Sequence, residues 1–209
     1  MKLAIIGASR GIGRRTVEEA LERGHKVRAM SRSGMDLEAE GLEVMEGDAT
    51  NDVDVFNAID GCDAVILTLG VPKDLRVLKQ TTLFSDATRV VIAQMKKAGI
   101  KRFLTVTGFG AGDSAEKLST PERLTQKAFL GRAYADKDVQ EQLIRDSDLD
   151  WTIARPGILS DNRKSGKYKV LTEKAEWRNG LISRADVADF LVTAAEGPAM
   201  VGKTPALQR

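Results

Sequence analysis

Gly7-Ala8-Ser9-Arg10-Gly11-Ile12-Gly13 is the stretch whose reading decides the fold. It follows Leu3-Ala4-Ile5-Ile6, an apolar run of strand length with branched side chains. It leads into an amphipathic stretch with Val17, Ala20 and Leu21 on one face, which closes at Gly24. Strand, glycine turn and helix is the context that a dinucleotide-binding turn requires. Gly7 permits the tight turn off the strand, Gly11 lets backbone approach a pyrophosphate, and Gly13 lets the helix pack closely on the strand. The helix N-terminus then offers unpaired N–H groups and a positive dipole end to phosphates. Ser9, Arg10 and Ile12 share the turn and join the three glycines as candidate cofactor-binding residues.

Beyond this unit, strand-like and helical stretches alternate. Residues 26–30, 42–46, 64–69, 102–107 and 151–154 read as strands, and 53–59, 83–98, 120–145 and 185–195 as helices. The run 64–69 is almost continuously apolar, as in a central strand covered on both faces. Strands separated by helices of this length indicate βαβ units. The expected fold is therefore α/β, a Rossmann-type doubly wound parallel sheet in a single domain over 1–209. A small irregular C-terminal part, from about residue 158, is expected to contribute the substrate side. Ligands in such sheets lie at the carboxyl ends of the strands. Residues 7–13, 31–33, 48–49, 69–71, 107–112 and 156–158 are thus expected on one rim, with Val71 beside Leu69 and Gly70. The glycine-rich run 108–112, within the loop 108–114, reads as a mobile flap over the substrate in preference to a second phosphate cradle.

Composition narrows the chemistry. With 209 residues, 42% of them apolar, the chain can bury the core of one α/β domain. Its 32 basic and 30 acidic residues are interspersed and the net charge is +2, so neither nucleic acid nor a membrane is an expected partner. Cys62 is the one cysteine, which excludes an internal disulfide and suits a reducing cytosol. Met1-Lys2 leads directly into the first strand, so no signal peptide is expected, and a cytoplasmic location follows. One histidine and one cysteine leave no imidazole or thiolate cluster for a metal, and none is expected. His25, in the turn after the first helix, reads as solvent-facing, while Trp151 and Trp177 read as packing residues. Residues 197–204, GPAMVGKT, match the phosphate-loop pattern letter for letter. They follow an expected helix instead of a strand, and Pro205 comes next, so ATP hydrolysis is set aside.

The second strand decides between the two nicotinamide dinucleotides. An NAD site usually carries Asp or Glu about 20 residues beyond the glycines, where it accepts from the ribose 2′-hydroxyl. Here Ser31-Arg32-Ser33 follows the strand. Arg32 can hold a 2′-phosphate bidentately, and Arg10 can reach the same group from the glycine turn. NADP(H) is the expected cofactor, with Ser31 and Arg32 among its binding residues.

Further matches carry a family resemblance: GASRGIG at 7–13, Gly47-Asp48-Ala49, Thr68-Leu69-Gly70, DSDLDWTIARPG at 146–157 and SRADVA at 183–188. The chain resembles the short-chain dehydrogenase/reductase superfamily. Within it, the chain is similar to the atypical branch of biliverdin reductase B-like flavin reductases and NAD(P)-dependent epimerases. The resemblance extends over almost the whole chain and implies the fold without implying one substrate. It implies that Asp48 accepts from the adenine amino group, with Ala49 beside the ring. Leu69 and Gly70 would then run along the adenosine ribose and pyrophosphate. Pro156, Gly157 and Ile158 would close over the nicotinamide, with backbone facing its carboxamide.

The resemblance also implies a catalytic group of Ser, Tyr and Lys, in which Tyr moves the carbonyl proton and Lys lowers its pKa and holds the nicotinamide ribose. Thr107 takes the serine's place at the end of its strand. Lys137 takes the lysine's place, four residues before Glu141. The tyrosine position falls on Ala133, and Tyr134 stands one residue away, about 100° around a helix. Lys137, Thr107 and Tyr134 are therefore the candidate catalytic residues. The reading that fits them is an NADPH-dependent oxidoreductase, a monomer or small homo-oligomer. It would deliver hydride to a flat or conjugated small molecule that needs little protein acid, such as a flavin, quinone or tetrapyrrole-like compound. Two alternatives remain: a non-catalytic NADP-sensing regulator, and nucleotide-sugar epimerase or dehydratase chemistry.

Overall fold

The computed structural model describes residues 1–70 and 82–209. Its elements are β1 (Lys2–Ile6), α1 (Gly11–Glu22), β2 (Lys26–Ser31), β3 (Leu42–Glu46), α2 (Asp52–Ile59), β4 (Ala64–Leu67), α3 (Leu83–Ala98), β5 (Arg102–Val106), α4 (Thr120–Arg145), β6 (Asp150–Pro156), β7 (Ile158–Ser160), β8 (Lys169–Leu171), β9 (Leu181–Ser183), α5 (Arg184–Glu196) and β10 (Ala206–Gln208). Eight strands form one sheet in the order β3-β2-β1-β4-β5-β6-β10-β8. Neighbours are parallel throughout except β10 and β8, which run antiparallel. The first six positions have the doubly wound Rossmann order, which reverses between β1 and β4. β7 and β9 pair separately as a short parallel ribbon.

Period-two alternation along β1 divides the core between the two faces of the sheet. Leu3 and Ile5 enter one cluster with Val17 and Ala20 of α1 and Val187 and Leu191 of α5. Ala4 and Ile6 enter the other with Val55 and Ile59 of α2, Val91 and Met95 of α3, and Ile144 of α4. Helix ends are set by local chemistry. The Asn51 side chain accepts from the Val53 and Asp54 N–H groups at the start of α2. Gly99, at φ +73°, closes α3 in a left-handed conformation that a Cβ would oppose.

Three expectations change. The chain beyond residue 158 is irregular over 161–168 and 172–180 but more ordered elsewhere than expected: β10 enters the main sheet beside β6, and α5 builds a large part of one core cluster. Strands of three residues have too few positions for a periodic signal. The stretch 108–114 is not a flap. Phe109 and Ala111 are buried, the Phe109 N–H donates to Pro156 O (2.8 Å), and the Gly110 N–H donates to Ser114 Oγ (2.8 Å). A 3₁₀ turn, Gly112–Lys117, continues it. His25 is not solvent-facing, because its Nε2 lies 2.8 Å from Glu196 Oε1 and its side chain is 12% exposed. Residues 197–204 lead from α5 into β10 with no helix after them, so the phosphate-loop pattern has neither its strand nor its helix. Val71 lies outside the described residues.

Candidate functional site

The carboxyl ends of β1, β2, β3, β4, β5 and β6 lie along one edge of the sheet, and the glycine turn occupies its centre. The Gly7 N–H donates to Met30 O (2.9 Å), and Gly7 sits at φ +90°. A Cβ on Gly7 would stand 2.9 Å from Thr68 O, and one on Gly13 would stand 2.2 Å from Gly7 O and 2.6 Å from Thr68 Oγ1. These two glycines therefore allow β1, the end of β4 and α1 to pack at backbone distance. Gly11 differs. It sits at φ +61°, and among the described residues beyond the turn a Cβ there would meet only Arg184 Nε, at 3.9 Å. No side chain caps α1, and its first turn carries no acidic residue. The cradle a dinucleotide pyrophosphate needs is thus open in front of Gly11 and free of competing anions on α1. Ser9 is half-buried, Arg10 exposed and Ile12 half-buried around the same turn.

On the β2 side of the turn, Ser31 ends β2, and its hydroxyl donates to Gly34 O (2.6 Å). Arg10 and Arg32 are both exposed, and neither forms an ion pair among the described residues. Asp48 Oδ1 accepts from the Thr50 N–H and Oγ1–H, both at 2.8 Å. Those bonds, together with the positive charge of Arg32, hold the Asp48 carboxyl below its ordinary range, so it is an ionised acceptor. Ala49 is buried, Leu69 is packed against the second core cluster, and Gly70 is exposed with no atom of the described residues within 4 Å of where a Cβ would point.

At the end of β5 the structure brings Thr107, Lys137 and Tyr134 together. Lys137 is buried on α4, where its Nζ donates to Thr107 O and lies 4.7 Å from the centre of the Phe84 ring. Burial pushes its pKa down to about 8, against the raising effect of Glu141 and Asp136. The Thr107 hydroxyl donates to Glu141 Oε1 (2.8 Å). Glu141 is in turn clamped by fully buried Arg155, through Nε (3.0 Å) and Nη2. Arg155 Nη1 forms an ion pair with Asp113 Oδ1 at 2.7 Å, and the guanidinium lies over the Trp177 ring.

Tyr134 is half-buried, with its hydroxyl against Gly108, where a Cβ would stand 2.6 Å from it. Burial raises its pKa, opposed by a hydrogen bond with Gln126. It lines a cavity of about 400 Å³ between α4 and the 110–118 segment, with Arg123, Lys127 and Asp138. Ala133 is buried. At the end of β6, Pro156 O accepts from Phe109, while the Gly157 and Ile158 N–H groups donate to Leu207 O (3.0 Å) and Gly180 O (2.8 Å). Those N–H groups are engaged within the protein, and the Ile158 side chain is left 60% exposed at the rim.

The family described as NAD(P)H-binding matches residues 7–198. This chain belongs to that NAD(P)H-binding family. YhfK of Bacillus subtilis (strain 168), named as an uncharacterized sugar epimerase, is 30% identical over 199 residues, 93% of this chain and 87% of its own. The structure of ChuY from E. coli CFT073 is 31% identical with a TM-score of 0.79, covering 100% of this chain and 96% of that one. ChuY from Escherichia coli O157:H7, described as an anaerobillin reductase, is 27% identical with a TM-score of 0.78, covering 100% and 97%. The NAD(P)H-binding chain thus has the oxidoreductase-like fold and the motifs of an atypical short-chain dehydrogenase/reductase. Among its described residues no helix is long and apolar enough to cross a membrane.

Sequence reasoning on this NAD(P)H-binding protein left out the Glu141–Arg155–Asp113 chain. Its signal was present as Arg155, directly after the mostly apolar strand 151–154 and with no acidic residue within four positions of it in sequence. Only folding brings Glu141 to it.

Proposed function

We propose that the protein is an NADPH-dependent reductase that transfers hydride to a flat or conjugated small molecule of the flavin, quinone or tetrapyrrole-like class, in the cytoplasm. In this reading Gly7, Ser9, Arg10, Gly11, Ile12 and Gly13 hold the pyrophosphate side. Arg10, Ser31 and Arg32 surround the 2′-phosphate, and Asp48, Ala49, Leu69 and Gly70 line the adenosine. Lys137 and Ile158, with Pro156 and Gly157, lie at the nicotinamide end. The dinucleotide, when bound, supplies the hydride. Residues 158–209 contribute the substrate side of the same domain.

The observation that carries the reading is the state of the two proton-bearing groups beside Lys137. The Thr107 hydroxyl gives its hydrogen to Glu141, so toward a substrate it can only accept. Tyr134 has its pKa raised by burial, the opposite of what an activated proton donor needs. With neither Thr107 nor Tyr134 poised as an acid, the site suits acceptors that delocalise the incoming charge and take their proton from solvent. The description of ChuY as an anaerobillin reductase supports a conjugated acceptor by analogy.

The test is NADPH oxidation at 340 nm against panels of flavins, quinones and simple carbonyls, with roughly equal driving force across panels. Turnover with the conjugated panels and not with the carbonyls is expected. Tight NADPH binding with silence across all panels would replace the reductase with an NADP-sensing regulator.

A further inference from the structure

We infer that Arg184 is a cofactor-binding residue that clamps the dinucleotide pyrophosphate from the side opposite the glycine turn. This rests on the dinucleotide lying at that turn. Gly11 is the first residue of α1 and Arg184 the first of α5, so two helix N-termini converge where Arg184 Nε comes within 3.9 Å of the Gly11 Cβ position. That position marks the direction in which Gly11 has no side chain, the space a pyrophosphate enters. Outside the turn itself, no other atom of the described residues lies within 4 Å of it. The cation therefore stands across the open side of the cradle.

The placement of Arg184 is otherwise unfavourable. A positive side chain in the first turn of a helix opposes the macrodipole. The acidic residue of that turn, Asp186, cannot compensate. Its carboxylate is taken by the Ser165 N–H and Oγ–H, the Gly166 N–H and the Ser183 Oγ–H. Among the described residues the acid bonded to Arg184 is Asp161, through Nη1 at 2.8 Å. Asp161 is 83% exposed whereas the Arg184 side chain is 22% exposed, so water screens the pair from the Asp161 side and an incoming anion can compete for the arginine. Its segment is fixed elsewhere, by Lys164 on Glu19 of α1 at 2.7 Å and by Ser165 and Gly166 on Asp186. Arg184 is thus carried on rigid supports, with Nε and Nη2 left to meet an anion in front of Gly11. Arginine suits that task because its planar fork matches phosphate oxygens.

A pyrophosphate contact is shared by both nicotinamide dinucleotides, whereas a 2′-phosphate contact belongs to one. Dissociation constants for NADPH and NADH are therefore measured by calorimetric titration on the unmodified protein, Arg184→Ala, Arg184→Lys and Arg32→Ala, with unfolding midpoints as the folding control. Arg184→Ala is expected to weaken both cofactors by the same factor, about tenfold for one charge-assisted contact. Arg184→Lys should recover part of that loss, and Arg32→Ala should weaken NADPH alone. Unchanged affinities in Arg184→Ala would overturn the inference, as would a loss confined to NADPH, which would put Arg184 at the 2′-phosphate. If the unmodified protein binds neither cofactor, the dinucleotide reading itself fails, an outcome distinct from both.

Discussion

Lys137 shows how one buried charge ties stability to the site. Its native pKa lies near 8, below the ordinary 10.5 of lysine. Below pH 8 the native state still carries the proton and the cost of burying it is present in full. As pH rises from about 8 toward 10.5, the native state binds fewer protons than the unfolded chain, so stability increases over that window. Urea unfolding at pH 7.5 and 9.5 should show a rise of order 1–3 kcal/mol in the unmodified protein, and that increment should vanish in Lys137→Met. Tyr134→Phe should change turnover only a few-fold on whichever acceptor the screen finds, because a real general acid would cost ~10²–10⁴-fold. A hundredfold loss with NADPH affinity intact would make Tyr134 the acid. At this scale the sequence named Thr107, Lys137 and Tyr134 as candidates, and the structure brings them together at one strand end. Where their protons point was not legible. The hydroxyl of Thr107 is turned by Glu141, 34 residues away, and Glu141 is held by Arg155 from another strand.

The element scale separates glycines that serve packing from the one that serves the ligand. Gly13→Ala would drive a Cβ to 2.2 Å from the Gly7 carbonyl, so α1 must move off β1. Such overpacking against backbone should lower the unfolding free energy by about 1–3 kcal/mol. Gly11→Ala meets open space, and its cost to the fold is the left-handed φ of +61°, about 1–2 kcal/mol. Its larger effect should be on dinucleotide affinity, since the methyl occupies the cradle. Unchanged NADPH binding in folded Gly11→Ala would place the phosphates elsewhere. The long helices were readable: α3 has the bounds expected from its apolar spacing, and α4 covers the stretch 120–145 expected to be helical. The strands β7, β8, β9 and β10 have three residues each, too few for a pattern. The stretch 108–114 misled because glycines there permit close burial against Tyr134, Gln126 and Arg155 instead of motion.

For the molecule as a whole, the sheet edge gathers residues that are far apart in sequence, from the glycine turn to the end of β6. The strand order that does this was implied by the βαβ rhythm, and its cofactor class by the glycines. The choice between the two dinucleotides depends on charge alone. Arg10 and Arg32 are exposed, and residues 31–33 at the end of β2 contain no carboxylate, the nearby Glu46 of β3 lying against Gly34. The most direct measurement is a paired equilibrium titration of the unmodified protein with NADPH and NADH, repeated on Arg32→Asp. The account predicts NADPH bound at least tenfold more tightly, about 1.4 kcal/mol, with the preference erased in Arg32→Asp. Equal dissociation constants for the two cofactors in the unmodified protein would contradict it.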